Sequence, residues 1–289
     1  MKTGIYLLAF GKRGYYFAAY NLAYSIRHYG CKHDIVLLTD SAEMAGKQLG
    51  HRMDVFTSVI VMDKQDTPKG NPAISKLSMY KYFIHENTLY IDVDTLCLKD
   101  LTPLIDEYEK EKKPYISHTV GYHTIDKGRD FPEMQWAWAD EIWAKYELKQ
   151  EDVLPAINSS IQFINTKKGA KIFALALKLI ANPITKLRFQ WGGSQPDELY
   201  TNTALALLGI DPAPKANIPA MYFAQSKALD ITQVKEQFYL LSYYGGRGFT
   251  ASYYTQAIDD ILTKMFREKG LNHIYPMSFI LDDKHANNR

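Results

Sequence analysis

Cysteine is nearly missing: Cys31 and Cys97 are the two in 289 residues. Each lies beside an apparent strand, and two thiols cannot staple a fold of this size. They read as reduced core or strand-edge residues, and a cytoplasmic location is the default expectation. Long apolar runs are missing as well. Met1–Phe10 has a lysine and a short apolar run that meets Gly11, Lys12 and Arg13 at once, too soon for the core of a signal peptide, and reads as a first strand. No later stretch approaches the roughly 18 to 20 apolar residues that span a bilayer, so any membrane attachment would be peripheral. A charge of one sign is absent: 34 basic and 32 acidic residues leave +2, with neither an acidic tail nor a basic stripe from which to argue nucleic-acid binding. No internal repeat is visible, so partner choice must come from local chemistry.

What is present suffices for a large core, with 46% hydrophobic residues in a length that suits one α/β domain spanning 1–289. Short apolar runs at Gly4–Phe10, Asp34–Thr39, Val55–Met62 and Thr88–Asp94 read as strands, with helices over Tyr15–Tyr29 and Pro72–Ile84 between them. That alternation is the mark of a mostly parallel sheet flanked by helices. For the second helix, Asn71 supplies a cap, Pro72 suits the first turn, and Ile74, Leu77, Tyr80 or Lys81, and Ile84 form the buried stripe, leaving Lys76 off it. Farther on, Pro114–Ser117, Ser160–Asn165 and Phe238–Tyr244 read as strands, and Lys168–Ile180, Asp197–Leu208 and Ala257–Phe266 as helices. Ser117–Pro132 reads as a loop, either mobile beside a site or a solvated connection. Trp136, Trp138 and Trp143 could stack a sugar or base, but the two-turn spacing of Trp136 and Trp143 favours core packing.

The sharpest feature is Tyr90-Ile91-Asp92-Val93-Asp94-Thr95-Leu96, an apolar strand that ends in two aspartates one residue apart. Alternation along a strand would put both carboxylates on one face, with Val93 on the other, so that they could share a cation. Hard oxygen ligands at the carboxyl end of a parallel strand suit Mg²⁺ or Mn²⁺, above all when a diphosphate completes the shell. The bland alternative is a polar strand exit, and for an isolated Asp-x-Asp it is the better one.

The surroundings of the pair favour the metal. Ile74-Ser75-Lys76-Leu77-Ser78 followed by Leu89-Tyr90-Ile91-Asp92-Val93-Asp94-Thr95-Leu96 resembles the central signature of GT-A-fold glycosyltransferases, especially glycosyltransferase family 8, the glycogenin-like enzymes. The resemblance implies a Rossmann-like nucleotide-diphospho-sugar transferase fold, with a nucleotide-binding half over 1–100, a sugar and acceptor half over 101–250, and a C-terminal helix and tail over 251–289. It implies Mn²⁺ (or Mg²⁺) on Asp92 and Asp94, and a donor contact for Lys76, which would otherwise read as a solvated lysine. By position, Ala9, Phe10 and Tyr15 are the candidates for holding the base, although Phe10-Gly11-Lys12 replaces the family's polar residues there. Asn158-Ser159-Ser160 is similar to the family's Asn-Ser-Gly strand beside the donor sugar, with a serine where glycine is usual.

Gln195-Pro196-Asp197-Glu198-Leu199-Tyr200-Thr201-Asn202 resembles the Asp-Gln-x-x-x-Asn helix start that faces sugar and acceptor, with Glu198 at the glutamine position. Asp197 and Glu198 are therefore the catalytic candidates, against the plain alternative that acidic residues favour a helix N-terminus. Leu241-Ser242-Tyr243-Tyr244-Gly245-Gly246-Arg247 is similar to the family's His-x-x-Gly-x-x-Lys, but the metal-binding histidine is absent; Ser242 or Tyr244 would stand near it, and Arg247 could grip the diphosphate in place of the lysine. The expected donor-binding set is thus Ala9, Phe10, Tyr15, Lys76, Asp92, Val93, Asp94, Asn158, Ser159 and Arg247.

The implied activity is metal-dependent transfer from a nucleotide sugar, a UDP-sugar by resemblance, to a glycan, protein, lipid or nucleic-acid acceptor, with retention of anomeric configuration. One alternative is a sugar-phosphate nucleotidyltransferase, for which Gly11-Lys12-Arg13-Gly14 is a thin version of the phosphate loop. Another is an inactive scaffold that binds nucleotide sugar or nucleic acid without turnover.

Overall fold

The computed structural model describes residues 2–128, 136–188, 195–215, 220–222, 236–242 and 252–268. Its centre is a six-stranded sheet in the order β3-β2-β1-β4-β7-β6. The strands are β1 (Thr3–Leu8), β2 (Asp34–Thr39), β3 (Ser58–Val61), β4 (Asn87–Ile91), β6 (Tyr115–His123) and β7 (Leu154–Asn165). β1 to β4 run parallel, while β7 pairs antiparallel with both β4 and β6. A second sheet joins β5 (Thr95–Cys97), β9 (Leu240–Ser242) and β8 (Ala220–Tyr222).

Both faces of the main sheet are covered, which explains the continuous apolar runs of its strands. Ile5, Leu7, Ile35, Leu37, Leu89 and Ile91 pack on one side, against α1 (Arg13–His28) and α4 (Thr102–Glu111). Tyr6, Leu8, Val36, Leu38 and Tyr90 point to the other, against α3 (Pro72–Ser78), α6 (Thr166–Ile180) and α7 (Asp197–Leu207). Two shorter helices, α2 (Ala42–Leu49) and α5 (Ala139–Tyr146), fill the flanks. The last helix, α8 (Ser252–Glu268), returns to α1, where Phe266 stacks on Tyr24 at 4.2 Å between ring centroids and Glu268 meets His28 Nε2 at 3.1 Å.

Several boundaries differ from the sequence reading for identifiable reasons. The α3 helix is capped by Asn71 Oδ1 and begins at Pro72 as expected, but ends at Ser78 and passes into a 3₁₀ turn over Met79–Tyr82. Its stripe shifts accordingly: Ala73, Ser75 and Leu77 are buried, whereas Ile84 is 68% exposed. The third strand loses its start to a 3₁₀ turn at Gly50–Val55. The expected loop after Ser117 is strand as far as His123, followed by a short turn at Ile125–Lys127. Its partner β7 starts at Leu154, six residues before the expected Ser160, because Pro155 and the polar Asn158-Ser159-Ser160 masked the strand signal. Both cysteines are free and buried. Trp143 is core, its indole N–H donating to the Lys149 carbonyl at 3.1 Å, and Trp138 carries the Arg188 guanidinium at 4.1 Å from its ring.

The amino end of the sheet is locked by a polar chain. The Tyr6 hydroxyl meets His85 Nδ1 at 2.9 Å, and His85 Nε2 meets Asp34 Oδ2 at 2.9 Å. The His85 ring lies over Gly4, where a β-carbon would stand 2.4 Å from Nδ1, so only a residue without a side chain fits.

Candidate active site

The carboxyl ends of the parallel strands carry a dense group of ionisable side chains. Strand β4 ends at Ile91, and Asp92–Asp94 form a bend before β5, so simple strand alternation does not relate the two aspartates. Asp92 nonetheless keeps the parity of its strand. Its N–H donates to the Ser160 carbonyl at 2.7 Å, extending the pairing of β4 with β7 by one bond. Its side chain follows that of Tyr90, whose hydroxyl donates to Asp92 Oδ1 at 2.5 Å. Val93, placed in the donor-binding set, turns its side chain into the core and is 7% exposed.

Lys76, off the apolar stripe and a donor-contact candidate by resemblance, is enclosed rather than solvated: its side chain is 12% exposed. Its ammonium donates to Asp92 Oδ2 at 3.0 Å and Ser159 Oγ at 2.9 Å, and lies 3.5 Å from Asp197 Oδ2 and 5.3 Å from the centre of the Tyr90 ring. Burial alone would lower its pKa, but the charges of Asp197 and Asp92, followed by Tyr90 and Glu198, hold it well above the ordinary lysine value. The same desolvation, with Asp92 close by, drives the Tyr90 phenol far up.

Helix α7 brings the catalytic candidates to this cluster. Asp197 and Glu198 occupy its first turn, where backbone N–H groups favour negative charge. Ser159 Oγ donates to Glu198 Oε1 at 2.8 Å. Burial, reinforced by Asp197 and opposed by Lys76 and the Ser159 hydrogen bond, raises the Glu198 carboxyl to about 7. Asn202, one turn on, accepts the Ile157 N–H at 3.2 Å and so ties α7 to β7. Asn158 is half-buried and accepts the Ser160 N–H on its side chain at 3.0 Å, which shapes the strand where Ser159 reaches inward.

On the other flank, Phe10 and Tyr15 stack with ring centroids 6.3 Å apart at 19°. Tyr15 is raised by burial and then by the charges of Asp94 and Asp92. Ala9 is fully buried, its N–H bound to the Leu38 carbonyl at 2.9 Å. The structure therefore gathers Lys76, Asp92, Ser159, Asp197 and Glu198 into one contact network, with Asp94 and Tyr15 coupled to it electrostatically. Arg247 and Tyr244 lie outside the described residues.

Four contributors escaped the sequence reading. Tyr90 was legible in principle, being two residues before Asp92 and hence on the same face. Gln162 and Tyr115 support Ser159 from behind, with Gln162 Nε2 donating to the Ser159 carbonyl at 2.7 Å and the Tyr115 hydroxyl donating to Gln162 at 3.0 Å. Asp40 follows the carboxyl end of β2, where sites in such sheets are built. It accepts the Gly11 N–H at 3.2 Å and the Tyr16 hydroxyl at 2.9 Å, and Gly11 itself has φ +75°, so the turn before α1 is held by a carboxylate. A carboxylate on the Gly11 amide works against a triphosphate cradle there.

Among the described residues no three His, Cys, Asp or Glu side chains are grouped to hold a metal ion. Asp92 and Asp94 offer hard oxygens of the kind Mg²⁺ and Mn²⁺ take, and a diphosphate would have to supply further oxygens. No described helix is long and apolar enough to cross a membrane.

No protein-family model and no curated protein matches this chain. Solved structures do. The galactosyltransferase LgtC in complex with donor and acceptor sugar analogues superposes with a TM-score of 0.58 at 15% identity, over 94% of this chain and 97% of that one. An active-site glutamine-to-glutamate mutant of LgtC gives 0.59 at 16% identity over the same shares, 94% and 97%. The apo bifunctional glycosyltransferase WbbM gives 0.51 at 12% identity, over 84% of this chain and 46% of that one. At such identities the likeness is one of architecture, and the chain has the GT-A fold, a mostly parallel sheet flanked by helices as in these glycosyltransferases.

Proposed function

We propose that this chain is a glycosyltransferase of the hexosyl-transferring type that moves a sugar from a UDP-sugar to an acceptor, with Asp92 and Asp94 as ligands of Mn²⁺ or Mg²⁺. One observation carries the reading: Lys76 is held between Asp92 and Asp197, with Ser159 and Glu198 in contact, at the carboxyl end of β4 in a GT-A frame. A buried lysine among carboxylates on the donor side of such a sheet suits a ligand that brings both phosphate charge and a cation. Residues 1–289 are read as one catalytic domain. The buried free thiols fit a reducing compartment, and we place the protein in the cytoplasm.

A bound divalent ion would supply Lewis-acid neutralisation of the departing diphosphate. The chain's own residues do the rest. Lys76 presents a permanent positive charge beside Asp92, where negative charge develops on the leaving group, and Arg247 is assigned to the same diphosphate. Phe10 and Tyr15 offer aromatic faces to a base. Asn158 and Ser159 are assigned to the donor sugar. Asp197 and Glu198 stand at the reacting face, and by family resemblance the outcome is retention. The LgtC complex holds donor and acceptor sugar analogues, and by analogy the acceptor here is read as a sugar, ahead of protein, lipid or nucleic acid.

The test is release of nucleoside diphosphate from a panel of nucleotide sugars with Mn²⁺, alongside metal-dependent nucleotide binding by calorimetry. Release from one donor, abolished by chelation and reduced at least about 100-fold in Asp92→Asn/Asp94→Asn, is expected. Binding that ignores both the metal and the double variant would sink the assignment, and pyrophosphate exchange in place of diphosphate release would favour a nucleotidyltransferase.

A further inference from the structure

The hydrogen bonds around Ser159 have a fixed direction. An ammonium carries only donors, so at 2.9 Å from Lys76 Nζ the Ser159 oxygen must accept. The hydroxyl owns one proton, and the 2.8 Å contact to Glu198 Oε1 uses it. Oε1 is therefore an acceptor, and a proton taken up by Glu198 belongs on Oε2. Solvent cannot easily reverse this order, because Ser159 is 1% exposed and its main chain is pinned through Gln162 to Tyr115.

We propose that Ser159 is a positioning residue that links Lys76 to Glu198 and reserves Oε2 of Glu198 for the proton of the acceptor hydroxyl. The proposal deepens the transferase reading and rests on it. In the step, the acceptor O–H bond breaks and its proton passes to Oε2, while the oxygen's electron pair forms the new bond to the anomeric carbon from the face the diphosphate leaves, as retention requires. The bond from that carbon to the diphosphate oxygen breaks, and its pair leaves on the nucleoside diphosphate. Glu198 must be ionised to accept the proton, and the groups that face it are Asp197 on its own helix, Lys76 from α3, Ser159 from β7 and Tyr115 from β6. Of these, Ser159 supports the ionised form by direct donation.

The experiment pairs a titration that needs no turnover with one that does. In protein carrying ¹³C-carboxyl glutamate, the Glu198 resonance is identified by its loss in Glu198→Gln, and its titration is followed in wild type, Ser159→Ala and Ser159→Thr. Losing the donor in Ser159→Ala is expected to move the titration up by roughly one pH unit, with recovery in Ser159→Thr. The acid limb of kcat is expected to move by the same amount, with the same recovery in Ser159→Thr. In a Glu198→Gln background, Ser159→Ala is expected to change kcat little, since the two act as a unit. If Ser159→Ala does not fold, Ser159→Cys, of similar size and weaker as a donor, takes its place in both measurements. A titration and acid limb that stay put in a folded, active variant overturn the role of Ser159 alone. A moving titration in a protein that turns over no donor overturns the transferase reading and the catalytic use of this link with it.

Discussion

Replacing Lys76 with methionine keeps most of the length of the side chain and removes the ammonium that stands 3.0 Å from Asp92 and 3.5 Å from Asp197. At an effective dielectric constant of about 20, each contact contributes roughly 5 kcal/mol before desolvation. Burying the lysine offsets much of that, since its side chain is 12% exposed and those of the two aspartates 23% and 18%. What the variant loses is set by the carboxylates left without compensation, and breaking such a pair costs about 3–5 kcal/mol. The cost should depend on pH in one direction. Without Lys76, the Glu198 carboxyl loses the positive charge that opposes its protonation, so acid relieves the variant more than the wild type. The assay is urea unfolding of both proteins at pH 8 and pH 5.5 with chelator present. A deficit of about 3 kcal/mol or more at pH 8, shrinking by at least about 1 kcal/mol at pH 5.5, is expected. A deficit below about 1 kcal/mol at both values would mean that the cluster is solvated and that its electrostatics have been misread.

The other stability predictions concern a proton and a ring. Glu198 has a folded pKa of about 7, above the ordinary carboxylate value, so its contribution is present at low pH and lost as pH rises through about 7. Glu198→Gln should therefore stabilise the protein by on the order of 2 kcal/mol at pH 8 and by little at pH 4.5, while abolishing the acid limb of activity; thermal unfolding at the two pH values checks this. Gly4→Ala drives a methyl group into the His85 ring, which Tyr6 and Asp34 hold in place, and should cost about 1–3 kcal/mol in urea unfolding with the donor KM unchanged.

How much of this was legible in the sequence depended on whether local periodicity or tertiary contact decided each feature. Strand β2 matched its expected limits, Asp34–Thr39, because an apolar run buried on both faces and ended by polar residues has few other readings. Strand β7 did not, because its polar middle serves the site rather than the core. Asn158 shapes the backbone, Ser159 reaches Lys76 and Glu198, and Gln162 braces from behind, so the residues that disguise the strand are the ones that make it useful. Arg247 fell outside the described residues, and its assignment rests on resemblance alone.

Lys76 shows the limit of stripe reasoning most clearly. A helix with one apolar stripe is expected to turn its remaining side chains to water, and on that logic a lysine off the stripe is solvated. That logic fails for α3 because the helix has neighbours beyond the sheet: it packs against α6 and α7, and α7 presents Asp197 and Glu198. The lysine is thus enclosed by carboxylates contributed from sequence positions 16 and 121 residues away, a separation that no window of periodicity can register. Asp92 could be placed from its own strand, since Tyr90 two residues earlier fixes the face. Its meaning could not, because an Asp-x-Asp becomes a site only where a buried cation and a second acidic pair share its surroundings, and here both arrive through α3 and α7.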